Sequence, residues 1–138
     1  MGMDQTVSFA GAGPDWGAVR DLLARHGYPV QMRMIDGQLA FPDEGPPEGW
    51  RELRVGTPGG MVTVRREPGQ MTLVVWGNAD AALRQAWNAL AWALAEMGGG
   101  EVLTPEGAVR ASAYRQRADL PEALREGPPP GPGKERRT

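Results

Sequence analysis

VQMRMIDGQLAF, residues Val30–Phe41, is the stretch that decides the fold. Asp36-Gly37 stands between two runs in which apolar and polar residues alternate. That dipeptide tolerates positive φ at both positions, which a two-residue hairpin requires if its twist is to match its strands. The chain therefore turns back on itself and the two runs pair antiparallel. The implied register sets Ile35 opposite Gln38, Met34 opposite Leu39 and Met32 opposite Phe41. Val30, Met32, Met34, Leu39 and Phe41 are then expected on one buried face. Gln31, Arg33 and Gln38 are expected on the other, because side chains alternate along a strand.

Working outward toward the C-terminus, Pro42–Gly49 reads as a loop, Trp50–Val55 as a strand and Gly56–Gly60 as a turn. Met61–Arg66 and Met71–Trp76 form a second hairpin around Glu67-Pro68-Gly69-Gln70. Pairing Val64 with Leu73 turns Val62, Val64, Met71, Leu73 and Val75 toward the core. It turns Met61, Thr63, Arg65, Thr72, Val74 and Trp76 the other way. Asn78 is expected to cap a second helix, with Asp80 in its first turn. Leu83, Trp87, Leu90, Leu94 and Met97 follow steps of four and three, a single apolar stripe that ends at Gly98-Gly99-Gly100. Glu101–Leu103 reads as a strand. Thr104–Arg125 holds two competing helix starts, Thr104-Pro105-Glu106 and Asp119-Leu120-Pro121-Glu122.

Toward the N-terminus, Thr6–Ala10 reads as a strand, and Asp15 caps a helix over Trp16–His26 that Gly27 closes. VSFAGAGPDWGAVRDLLARHGYPVQ resembles the opening of dinucleotide-binding flavoproteins. Gly11-Ala12-Gly13-Pro14 lies between strand and helix, and Asp36 ends the next strand, where a ribose-binding acid would lie. The resemblance implies a parallel sheet with a bound dinucleotide. Trp16, however, occupies the place of the third glycine, and Asp36-Gly37 sends the chain back antiparallel where a helical crossover is needed. The glycines are therefore read as a strand-to-helix turn, and no cofactor is expected.

The expected fold class is α+β: a two-layer domain with a mostly antiparallel sheet of about five to seven strands. Two main helices lie on one face, in the order β-α-ββ-β-ββ-α with a C-terminal segment. Residues 1–126 are expected to form a single domain. Residues 127–138, GPPPGPGKERRT, are expected to be a disordered Pro/Gly-rich basic tail.

The chain has 138 residues, one His, no Cys and a formal charge of −2. Without Cys there are no disulfides, thiolate metal sites or cysteine nucleophiles, and a single His cannot build a multi-His metal centre. The near-neutral charge argues against an extended nucleic-acid footprint. Ala79–Met97 contains Asp80, Arg84, Gln85, Asn88 and Glu96, so it is not a membrane span. No charged n-region precedes an apolar h-region, and the expected location is cytoplasmic.

Candidate chemistry is sparse. His26 closes the first helix, where it suits the helix dipole, and neither Ser8 nor Ser112 lies in a nucleophile elbow. Asp43, Glu44 and Glu48 lack the spacing of a calcium loop. Arg51, Arg54, Arg65 and Arg66 with Trp50 and Trp76 suggest a platform for single-stranded nucleic acid, but their parities prevent all four arginines from sharing a face. No catalytic, cofactor-binding or metal residue is assigned. Trp92 is the informative oddity, about 200° around its helix from the Leu90 stripe. It needs cover from the C-terminal segment, with Val109 and Tyr114 as expected contacts, or from a partner. Trp92, Gln85, Asn88 and Glu96 are thus a candidate interaction surface. The leading expectation is a non-enzymatic protein-interaction or accessory/inhibitor (immunity-like) domain, its partner an unknown protein or a second copy. The alternatives are a small-ligand carrier or enzyme with a pocket walled by Met32, Met34, Trp76 and Trp87, and a weak nucleic-acid binder through the strand arginines.

Overall fold

The computed structural model describes residues 2–125; the expected tail at 127–138 lies outside them. The elements are β1 (Met3–Ser8), α1 (Trp16–Arg25), β2 (Gln31–Ile35), β3 (Gln38–Leu39), β4 (Glu52–Thr57), β5 (Gly60–Glu67), β6 (Gln70–Val75), α2 (Ala81–Gly98), β7 (Glu101–Thr104), β8 (Gly107–Arg110) and α3 (Ala111–Arg117). A 3-10 turn follows at Glu122–Leu124. The strands make one eight-stranded sheet in the order β3-β2-β4-β5-β6-β1-β7-β8, and every pairing is antiparallel. The fold is α+β, as the alternating hairpins and two capped helices require.

The hairpin turns carry the registers read from the sequence for the pairs beside each turn, but the expected Met32–Phe41 pair does not form, because β3 ends at Leu39 and the Met32 N–H donates to the Pro42 carbonyl instead. Asp36 and Gly37 both have positive φ, 49° and 83°, and Ile35 faces Gln38 while Met34 faces Leu39. The Asp36 carboxylate also accepts from the backbone N–H groups of Arg51 and Glu52 at 2.8 and 2.9 Å. One side chain thus shapes its own turn and pins the start of β4 to it. Val64 faces Leu73, and Val62, Val64, Met71, Leu73 and Val75 are all buried. β1 begins earlier than the Thr6–Ala10 expectation. Its polar start, Met3–Gln5, is held by a full ladder to β6, and Phe9 makes one further bond to the Gly69 carbonyl.

The expected face of β2 and β3 requires correction. Along the β2–β4 pairing, Met32 faces Val55 but Met34 faces Arg54, so Arg33 is an extra residue in a bulge. A bulge re-aims every side chain beyond it. Met32 is buried with Val55 on the helix side, and Ile35 joins it there through Leu53. Met34 and its partner Leu39 are turned to the opposite face, where Leu39 is 89% exposed; Phe41, beyond the end of β3, is exposed as well.

α2 lies across β5, β6, β1 and β7, with α1 and α3 both against it. Its N-cap is Asp80, whose carboxylate accepts from Leu83 N–H, rather than Asn78. The expected single stripe is too narrow a description. Ala86, Ala89, Leu90, Ala91, Trp92, Ala93, Leu94 and Ala95 are all buried, so the middle of α2 is enclosed on every side. Small alanines permit that enclosure, because helix and sheet approach without side chains to separate them. Met97, at the end of the stripe, is partly exposed. No described helix is long and apolar enough to cross a membrane.

Candidate functional site

Trp92 is 2% exposed and covered by its own chain. The His26 ring meets it edge-on with centroids 5.7 Å apart, and the Arg115 guanidinium stacks 4.9 Å from its centroid. Arg115 is held in turn by the Leu124 carbonyl. Trp92 is therefore not on an exposed surface: α1, α3 and the closing turn seal it.

The other members of that candidate surface are also engaged within the chain. Gln85 donates to the Asp119 carboxylate, and Asn88 donates to the Asp119 carbonyl, each at 3.0 Å. Asn88 Oδ1 accepts from Gln5 Nε2 at 3.1 Å and from the Tyr114 hydroxyl at 2.9 Å. This cluster ties β1, α2 and α3 together. Burial pushes the Tyr114 phenol up to about 12, so it stays a donor at any physiological pH. Only Glu96 remains exposed. It borders an open hollow at the end of α2 with Ser8, Glu101, Arg110 and Ser112. The chain's two serines are there, but His26 is against Trp92. Among the described residues no group of three His, Asp or Glu side chains could hold a metal ion.

The four candidate pocket walls are not brought together. Met32 is in the core on the helix side. Trp87 is also on the helix side, its indole N–H bonded to the Leu73 carbonyl at 2.9 Å. Met34 and Trp76 are on the opposite face of the sheet. The arginines divide as their parity requires. Arg54 and Arg65 share that opposite face, whereas Arg66 stacks on the buried Trp50 ring at 4.5 Å.

What the structure does assemble is the sheet face that carries no helix. Pairing places Leu39, Met34, Arg54, Thr63, Val74 and Asp4 across it, with Glu52, Arg65, Thr72, Thr6 and Leu103 in the adjoining row. Met61 and Trp76 stand on the other side of the first row, 45% and 57% exposed. The Arg65 guanidinium lies 5.7 Å from the Trp76 ring and bonds Glu52 at 3.1 Å. Arg65 and Trp76 start two rows apart, so both side chains lie along the sheet. Thr63 and Val74 beneath them are nearly buried despite facing outward. Arg33, released by the bulge, lies over Gly56, where a Cβ would come within 3.1 Å of its Nε. Alternation in β5 and β6 had already directed Met61, Val74 and Trp76 outward. The bulge that adds Met34 and Leu39 leaves no trace in the sequence pattern. Comparison with family models, curated proteins and solved structures finds no match.

Proposed function

We propose that this chain is a non-enzymatic protein-interaction domain of the cytoplasm, and that the uncovered sheet face is its contact surface. The observation that carries the reading is the set of exposed apolar residues on that face, Leu39, Met61, Trp76 and Leu103, with the half-buried Met34 beside Leu39. A two-layer fold is expected to clothe its free sheet face in polar residues, whereas exposed large apolar residues gathered on one face favour contact. Trp, Met and Arg, the types enriched at interfaces, meet here as Trp76, Met61, Arg54 and Arg65.

Photo-cross-linking tests it. A benzophenone side chain is placed at Thr72 or Leu103 on the open face, and at Arg84 or Glu122 on the helix layer. Irradiation in the source cell should give discrete protein adducts from the first pair and none from the second. Equal yields from both pairs, or none from either, would overturn the assignment.

A further inference from the structure

The open face is laid out to receive a second copy of itself, an inference that rests on the interaction reading above. Four strands lie on each side of the β5–β6 boundary: β3-β2-β4-β5 and β6-β1-β7-β8. A two-fold axis in the interface, running along that boundary parallel to the strands, sets β5 over β6 of the second copy and β4 over its β1. Position along the strands is preserved, so each row of side chains faces the same row in reverse order.

Arg54, Thr63, Val74 and Asp4 form one continuous row of paired residues. Under this axis Arg54 faces Asp4 of the second copy and Asp4 faces the copy's Arg54, while Thr63 and Val74 between them stay covered by their own chain's Arg65 and Trp76. Within one chain Arg54 and Asp4 are three strand spacings apart, about 14 Å, too far to pair. Both are exposed, and neither has an ion-pair partner among the described residues. They stand equally far from the boundary, each on the second strand out. In the next row Met61 faces Trp76 of the second copy, a thioether against an indole. An isologous interface must be self-complementary in this way.

Aligned sheets stack about 10 Å apart at about 30°. An extended Arg and an Asp together span that gap, and a modest rotation moves side chains this close to the axis only slightly. With β2 and β7 included, the face measures about 30 by 20 Å in plan, about 600 Å², and side-chain relief brings it near the roughly 800 Å² per partner of a standard interface. We infer that the chain forms a two-fold homodimer by stacking its open sheet faces, with reciprocal Arg54–Asp4 pairs and Met61–Trp76 contacts across the axis.

Sedimentation equilibrium of the full chain up to about 200 µM tests this, with far-UV circular dichroism melts as a folding control. Wild type should be a dimer. Asp4→Arg and Arg54→Asp should each weaken it about tenfold or more, because like charges then face each other. The combined swap should restore association. A monomeric wild type, a dimer indifferent to both single variants, or a swap that restores nothing would each overturn the proposal. The cross-linking above separates this failure from failure of the interaction reading. Adducts from Thr72 at masses other than twice the chain keep the face as a contact surface while removing the second copy from it.

Discussion

Replacing Trp92 with Ala tests how the helical layer is sealed. The side chain is 2% exposed and meets both the His26 ring and the Arg115 guanidinium. Removing a buried Trp costs about 3–5 kcal/mol, the lost transfer energy plus the cavity left where neighbours cannot collapse. Collapse is restricted here, since α1, α2 and the segment after α3 are each anchored elsewhere: by the core, and by Asn88, Gln85 and Arg115. For a domain of this size 1 kcal/mol corresponds to about 4 °C, so the melting midpoint should fall by about 12–20 °C. Urea unfolding followed by far-UV circular dichroism should show a lower midpoint at an unchanged slope. Trp92→Phe should cost much less than its volume suggests. It keeps a ring against His26 and Arg115, and it removes an indole N–H that has no acceptor among the described residues. A loss below about 1 kcal/mol for Trp92→Ala would refute the reasoning, because it would mean that the C-terminal segment does not hold this ring in the folded state.

Leu90→Ala should cost about 2–5 kcal/mol. Asn88→Ala, on the polar side of the same helix, should cost about 1–3 kcal/mol, because it strips an acceptor from Gln5 and Tyr114 and a donor from Asp119; equal stability of Asn88→Ala and wild type in urea would show that the cluster contributes nothing. Gly37→Val should cost about 1–3 kcal/mol, since a β-branched residue is strained at the positive φ of that turn, and an unchanged thermal midpoint would contradict it. Burial first, then the Arg115 and Arg25 charges, hold the His26 imidazole below its usual 6.5. The folded state thus binds fewer protons than the unfolded chain, and stability, full above pH 6.5, should fall as pH drops through that value and level off below the folded one. Melting points of wild type and His26→Gln from pH 8 to 5 should diverge over that window; parallel curves would remove His26 from the account. The Asp36 carboxylate, held low by the Glu52 and Arg51 N–H groups, acts only in stronger acid.

The sequence determined what depends on neighbours in the chain. Asp36-Gly37 and Pro68-Gly69 dictate tight turns, so the hairpins, their registers and the antiparallel fold class are legible from dihedral preference and alternation alone. The cap at Asp15 and the start of α1 follow from an orphan N–H beside an available carboxylate. The outward direction of Met61, Val74 and Trp76 follows from parity, although their role as part of a surface does not. Tertiary structure alone decided where strands distant in sequence pair, and that placed β1 in the middle of the sheet beside β6 and β7. It decided the bulge at Arg33, an insertion visible only against β4, which moved Met34 and Leu39 from an expected core to the open face. It also decided the fate of Trp92. One side of a helix shows which residues need cover, but whether a neighbouring segment or another molecule supplies it depends on contacts between parts of the chain that carry no common local pattern.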